Sequence, residues 1–528
     1  MSLDADRARQ RAGRRFFPAA AAVGVFAAVI ALVPAWHVSL WYDETATISA
    51  AGRSVPDLWD LTRGTNAAQG VYYLLIHLWT TGAGTSPVAV RVPSAIAVGV
   101  AVTGVGALAR RPLGSSTALL AAAVCALLPR ITWSGIEARP YAMTAAVAVW
   151  LTVIAVRAVD RGWSSRGRTV AAWVGYAVLG AFGVALFVYL ALLVVVHGAL
   201  LLISRTTART RWSWLAAAAG AAVLSAPVLL RSAGQTAQLG IDGKLSPGAL
   251  VRSLAVTEWY LGDTPTPVSA SLRAATHTPF TTVWSVAAVV LAVIGWSFAV
   301  VGLTARPRTG AVDLRWWLVG WIAVPAVLIG LYSVVVAPMY VPRYLTFAAP
   351  ALAILIAQGV AVTAHRTRVG ATVALALCVV LVTPVYVSQR TAFAKNNTDW
   401  SAVARYVAEH AEPGDGVYFA PRGSVPPRDP VTTTLRAVET GYPEAFSGLV
   451  DVTLETTPAR AASLWGTSLR LADATDRLGA VHVVWVLRRR DEPSDDVAAE
   501  DGVLASAGFS GARVWRGPSD EIYRFARS

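Results

Sequence analysis

The sequence predicts an all-α polytopic membrane domain followed by a small extracytoplasmic α/β domain, and three observations carry that expectation. Of the 528 residues, 55% are hydrophobic and only 14% charged, with a mean hydropathy of +0.53; soluble globular chains carry roughly 25% charged residues. The apolar residues gather in about eleven runs near the length that crosses a hydrocarbon core. From 391 onward that character is lost. Helix-like stretches (DWSAVARYVAEHA, LRLADATDRL) then alternate with strand-like ones (GVYFA, VHVVWVL, EIYRFA). The domains read from this are 1–390 and 391–528.

The first element is a retained helix, 16–38. The N-terminus MSLDADRARQRAGRRFF resembles a signal n-region, but the run behind it is long and lacks a convincing small-residue cleavage site. Further spans follow at 88–109, 114–130, 139–157, 169–186, 187–204, 212–230, 281–303, 314–336, 343–364 and 367–388. With the N-terminus in the cytoplasm, every short inside loop is basic. These loops carry Arg110 and Arg111; Arg157, Arg161, Arg166 and Arg168; Arg205, Arg209 and Arg211; Arg306 and Arg308; Arg366 and Arg368. The run GVYYLLIHLW (70–79) is too short to span, and counting it would reverse the charge rule downstream. It reads as a helix lying on the outer surface of the cytoplasmic membrane. Three segments then face outward: the first loop, 39–87; a second loop, 231–280; and the C-terminal domain.

Several function classes are disfavoured. The formal net charge of +14 sets topology and is no sign of a nucleic-acid partner. Cys125 and Cys378 lie inside apolar spans, so neither a disulfide framework nor a metal-binding Cys spacing is available. The tail shows no G-x-G-x-x-G or P-loop. His197 is the one ionisable group well inside a span, whereas ion-coupled transporters need such groups near the midplane. Polar residues gather instead at outer helix ends and in outer loops, as a catalytic site at the outer membrane surface requires.

Three outer motifs carry the chemistry. In WYDET (41–45), Asp43 and Glu44 are adjacent, so on a helix they point about 100° apart and do not form one paired-carboxylate site. One faces a cleft while the other braces the loop, or both belong to a solvated helix start beside an aromatic belt. GIEARPYAM (135–143) sets Glu137, Arg139 and Tyr141 in alternation, either as a site or as an interfacial anchor with a local ion pair. PMYVPRYLTFAAP (338–350) opens a span with Arg343 and Tyr344. A guanidinium there grips a lipid phosphate or simply snorkels to the interface.

Taken in order, WYDET, YYLLIHLW, VRVPSA (90–95), IEARPYA and PRYL resemble the GT-C glycosyltransferases. The likeness is to the protein-mannosyltransferase and aminoarabinose-transferase branch with its many actinobacterial relatives, and it covers roughly 16–390. It implies that a sugar on a polyprenyl phosphate is moved, by a single inverting displacement, to a cell-envelope glycan, a glycolipid or a protein outside the cytoplasmic membrane. It makes 44–52 and 70–80 surface helices. The catalytic pair it implies is Asp43, as base, with Glu44 bracing the loop. Arg139, Arg343 and Tyr344 would hold the donor phosphate. Glu137, Tyr141, Tyr72, Asn66 and Gln69 would line the substrate.

Two departures stand out. Many relatives carry D-A-V-H-G before Y-Y-L-L, and others a Lys followed by two prolines; here the stretch is Asn66-Ala67-Ala68-Gln69-Gly70. Arg63 is the replacement candidate for the phosphate. With amides in place of ionisable ligands, neither a metal nor another cofactor is expected. In the second loop Asp242, Lys244, Glu258, Trp259 and Tyr260 are candidate acceptor contacts; Trp259 and Tyr260 stack on sugars or anchor at the interface. The rival readings are a lipid-linked saccharide flippase, for which no pseudo-repeat is visible, and a non-catalytic GT-C-like subunit. High Ala, Val and Arg content points to a GC-rich actinobacterium and so to cell-wall biogenesis.

Overall fold

A computed structural model describes residues 2–160, 162–204, 206–235, 246–261, 277–305, 312–395, 397–421 and 434–527, with side chains from Phe16 onward. Arg161, Arg205, Asp242, Lys244, Arg306 and Arg308 lie outside the described residues. The chain forms two compact units. One comprises Met1–Ala35, Arg91–Pro265 and Phe280–Ser388; the other comprises Trp36–Val90, Thr266–Pro279 and Gln389–Ser528. The first loop thus groups with the C-terminal residues and not with the helices it interrupts.

The first unit is helical. Among the described residues, nine helices are long and apolar enough to cross a membrane, from Phe16–His37 to Arg368–Ser388. They coincide with nine of the expected spans. The other two, 114–130 and 187–204, are the shorter apolar helices Ser115–Leu127 and Leu190–Ile203. The first stops early because Leu128 is extended ahead of Pro129, which opens a separate short helix, Pro129–Ser134. A residue before proline is pushed out of the helical region, and proline is suited to a first helical turn. Large apolar side chains stay uncovered on the long helices, among them Val25, Val223, Leu230 and Val369. In hydrocarbon such a surface costs nothing, and every backbone polar group is satisfied within its own helix.

Between helices the contacts are made by small residues, because lipid tails are as apolar as leucine and give no hydrophobic drive to associate. A Cβ on Gly359 would lie 1.8 Å from the Phe298 carbonyl oxygen, and one on Gly302 would lie 2.4 Å from that of Leu355. Helices Pro279–Leu303 and Thr346–Arg366 therefore meet backbone to backbone. Gly359→Val is expected to lower the unfolding midpoint in detergent by several degrees. Gly175→Ala, where a Cβ meets nothing within 4 Å, should leave it unchanged or raise it; equal midpoints for the two variants would refute the close-packing assignment. His197 is buried in this unit. Its ring nitrogens are taken up by Tyr176 Oη at 2.8 Å and Thr152 Oγ1 at 3.1 Å, a satisfied core histidine.

The second unit holds three helices from the first loop, Tyr42–Ala51, Val55–Gly64 and Gly70–Ala83, and a five-stranded sheet. The strands, numbered along the chain, are β1 Gly416–Phe419, β2 Val450–Asp451, β3 Leu454–Thr456, β4 Thr467–Ser468, β5 Val483–Arg489, β6 Phe509–Arg516 and β7 Asp520–Arg527. The large sheet runs β2-β1-β5-β7-β6; β1 is parallel to β2 and β5, and β7 is antiparallel to both its neighbours. β3 and β4 form a separate antiparallel pair. The segments GVYFA, VHVVWVL and EIYRFA become β1, β5 and β7. Their alternate residues Tyr418, Val484, Val486 and Phe525 enter a core with Leu478, Leu504 and Phe509. Helix Trp400–His410 buries Trp400, Val403, Ala404 and Val407, the spacing of one helical face. LRLADATDRL is a 3-10 turn, Leu471–Ala474, followed by a single helical turn, Thr475–Gly479.

One buried contact in this unit is set by protonation. The Ser519 hydroxyl lies 2.9 Å from Asp399 Oδ1 and 2.6 Å from Asp520 Oδ2, and it has one hydrogen to give. One hydrogen cannot fully serve two ionised carboxylates, so protonation of one of them favours the contact. Burial, then the neighbouring Asp520 charge, pushes the Asp399 carboxyl up to about 9, while Arg489 faces the pair as a cation. A carboxyl whose folded value lies above its unfolded one of about 3.9 holds a proton that the unfolded chain releases. Its contribution to stability is thus full below pH 4 and lost as pH rises toward 9. Hydrogen exchange of Phe509–Arg527 is expected to become less protected relative to Val417–Phe419 as pH rises from about 5 to about 9, after correction for intrinsic exchange. Asp399→Asn should abolish that dependence.

Candidate active site

The candidate residues fall in both units. In the second, helix Tyr42–Ala51 starts at the acid pair, and acids in a first turn suit the positive end of the helix dipole. The two acids are treated differently. Glu44 is fully buried and its Oε1 accepts from Lys395 Nζ at 2.8 Å, an ion pair with both side chains sealed from solvent. Asp43 keeps partial exposure on the same turn. The helix is held from several sides. Leu40 N donates to Tyr442 Oη at 2.9 Å, Trp465 Nε1 donates to Tyr42 Oη at 2.5 Å, and Ser49 Oγ donates to the Leu464 carbonyl at 2.6 Å. Glu44 is thus tied to Lys395, a partner that no local pattern in the sequence reports because 351 residues separate the two.

The rest of the first loop is less uniform. Arg63 is exposed on helix Val55–Gly64 and pairs with Asp60 one turn earlier at 3.0 Å, the arrangement of a solvated helix face. Asn66 stands in the left-handed region at φ 56 and donates from Nδ2 to Thr65 Oγ1 at 3.0 Å. It forms the corner that turns the chain into helix Gly70–Ala83. Gln69 is the N-cap residue of that helix, and Tyr72 is fully buried on it. Helices therefore stand close to the expected 44–52 and 70–80, with Val55–Gly64 between them.

In the first unit the structure brings together Tyr141, Arg343 and Tyr344. The Arg343 Nε donates to Tyr141 Oη at 3.1 Å, and its guanidinium carbon lies 5.8 Å from the centre of that ring. Tyr141 stacks on Tyr344 at 6.4 Å, and Phe187 meets both edge-on. The backbone at Arg343 has φ 115, a region that bulky residues avoid. Arg139 is almost fully buried, Glu137 fully. Their backbone is fixed where Ser94 Oγ donates to the Glu137 carbonyl at 2.7 Å.

Two residues carry more of this unit than their places in the sequence imply. Glu258 is fully buried. Its Oε2 accepts from Tyr340 Oη at 2.8 Å and Arg343 N at 2.9 Å, and its Oε1 accepts from Leu345 N at 3.1 Å with Arg130 Nε 3.8 Å away. Burial pushes this carboxyl up, and Arg130 with the three donors holds it down. Arg130 in turn donates through Nε to the Glu258 carbonyl and through Nη2 to the Thr257 carbonyl at 2.8 Å. Proline followed by arginine at the end of an apolar run was the available signal for it. Trp259 and Tyr260 are buried. The Trp259 indole donates to the Leu254 carbonyl at 2.7 Å, and Tyr260 packs against Gly295. Neither ring presents a face to solvent.

Residues 70–230 match the family described as dolichyl-phosphate-mannose-protein mannosyltransferase. No curated protein sequence matches the chain. Among solved structures, the chain is similar to ArnT from Cupriavidus metallidurans bound to undecaprenyl phosphate, at 12% identity over 95% of this chain and 96% of that one, with a TM-score of 0.56. Against the apo state of ArnT the identity is 12%, the coverage 95% and 97%, and the TM-score 0.54. The oligosaccharyltransferase of Archaeoglobus fulgidus in its apo form matches at 12% identity over 93% of this chain and 73% of that one, with a TM-score of 0.50. The chain has the GT-C fold, a helical multi-pass membrane domain with a small sheet-bearing C-terminal region.

Proposed function

We propose that this protein is a membrane glycosyltransferase that moves a sugar from a polyprenyl-phosphate donor to an acceptor outside the cytoplasmic membrane. The observation that carries the reading is the division of labour in the acid pair of a GT-C chain. Glu44 is neutralised by Lys395, and Asp43 is left partly exposed on a pinned helix. The match of 70–230 to a mannosyltransferase family and the fold shared with an undecaprenyl-phosphate-binding protein support it.

In this reading Asp43 takes the proton from an acceptor hydroxyl as its oxygen bonds to the anomeric carbon. The bond from that carbon to the phosphate oxygen breaks on the opposite face, its electron pair leaves with the polyprenyl phosphate, and the configuration inverts. The leaving group is weakly basic, so it needs charge stabilisation more than a proton. Arg343 and Arg139 supply it, with Tyr344 next to Arg343 in the chain, since guanidinium geometry matches phosphate oxygens. Geometry carries most of the base's contribution. The acceptor is an envelope glycan, a glycolipid or a protein. Transfer needs no divalent metal and is expected to survive a chelator. The N-terminus is cytoplasmic and the C-terminal region extracytoplasmic.

The test is a panel of radiolabelled polyprenyl-phosphate mannose, arabinose and galactose, offered with crude envelope glycan to membranes with and without the protein. Label moving from the organic phase into glycan from one donor supports the reading and names the sugar. Label left on every donor, with folded protein present, would leave the non-catalytic subunit as the better reading.

A further inference from the structure

We infer that Glu258 is the positioning residue for the phosphate-binding arginine, acting through the backbone of Arg343 and not through its side chain. The inference rests on the donor-phosphate role proposed for Arg343. The turn around that residue is held in an unfavourable shape: φ 115 at Arg343, with Thr346 N and Thr346 Oγ1 both donating to the Arg343 carbonyl at 3.2 and 2.6 Å. A non-glycine residue stays there only where its surroundings over-determine it. Glu258 does so from the other side. It accepts the N–H of Arg343 and the N–H of Leu345, one through each carboxylate oxygen, and so spans the residue whose φ is positive. Tyr340 Oη adds a third donor just before the turn.

The anchor is itself fixed. Arg130 holds the carbonyls of Thr257 and Glu258 and faces the carboxylate, so the short helix Glu258–Tyr260 is pinned to helix Pro129–Ser134. Arg343 then has both ends defined, its backbone by Glu258 and its guanidinium by Tyr141. A carboxylate suits the place because each of its oxygens faces a backbone N–H, which can only donate. A glutamine at this position turns its amide NH₂ toward the Leu345 N–H and Arg130 in one flip and toward the Arg343 N–H in the other, so a backbone contact becomes repulsive either way, and only the Tyr340 hydroxyl can turn to accept. The segment 246–261 would therefore serve the donor through Glu258.

The experiment is undecaprenyl phosphate binding to the full chain in nanodiscs, read by intrinsic tryptophan fluorescence, for wild type, Arg343→Ala, Glu258→Gln and the double variant. Arg343→Ala is expected to weaken binding about tenfold. Glu258→Gln should weaken it by a comparable factor, and the double variant should be no weaker than Arg343→Ala alone, the signature of one shared interaction. Glu258→Gln binding like wild type, with Arg343→Ala weakened, overturns the positioning role and leaves the donor reading standing. Additive losses overturn it too, because a general loss of packing has no reason to vanish once Arg343 is gone. Arg343→Ala binding like wild type removes the donor role and the inference with it. Tyr340→Phe keeps the carboxylate and takes one donor away, so it applies where Glu258→Gln fails to fold. Its binding should weaken in the wild-type background and not in Arg343→Ala, and a wild-type affinity for Tyr340→Phe contradicts the inference.

Discussion

Asp43→Asn is expected to lower sugar transfer by between about 10²- and 10⁴-fold, the range a general base contributes, while donor affinity and the unfolding midpoint stay near wild type. The substitution keeps the shape of the side chain and removes its ability to take a proton. It is well tolerated structurally because Asp43 is partly exposed in the first turn of its helix, where an amide still suits the local backbone. Initial rates at saturating donor and acceptor, measured beside the midpoint, separate chemistry from folding. A variant that transfers at the wild-type rate removes Asp43 as the base.

Lys395→Ala should do the opposite, removing stability first. The Lys395–Glu44 pair is sealed from solvent on both sides at 2.8 Å, and truncating one member leaves a buried charge without its counter-ion. Such losses run to about 3–5 kcal/mol. The unfolding midpoint is expected to fall sharply, with activity lost in proportion to the unfolded fraction. Replacing both members together, Glu44→Leu with Lys395→Met, should recover much of that stability, since well-packed apolar pairs often substitute for buried ion pairs at little cost. A double variant as unstable as Lys395→Ala would show that the charges do more than neutralise each other.

The membrane architecture was legible because each span is a local property: about twenty apolar residues in a row, with arginines on one side. The same reasoning found helix Gly70–Ala83 and rightly kept it out of the count of spans. The two shortened helices were visible as apolar runs, but only Pro129 marked where the first of them ends. Strands β1, β5 and β7 showed their alternation. β6 did not, since it lies at the edge of the sheet with nearly every residue exposed and carries no one-sided pattern. The acid pair was visible as a motif, yet the difference between its members was not, because that difference is Lys395. From the sequence Glu258 reads as a candidate acceptor contact beside Trp259 and Tyr260. Its binding to the backbone of Arg343 and Leu345 joins segments more than eighty residues apart, which no local pattern reports.

The most direct measurement uses purified protein in nanodiscs with one active polyprenyl-phosphate sugar and one acceptor, following free polyprenyl phosphate and glycosylated acceptor together. A membrane glycosyltransferase releases the two in equal amounts, and Asp43→Asn releases neither at an appreciable rate. Intact donor that only changes leaflet when the protein is placed in sealed vesicles, with no polyprenyl phosphate set free, would contradict transfer and identify a flippase.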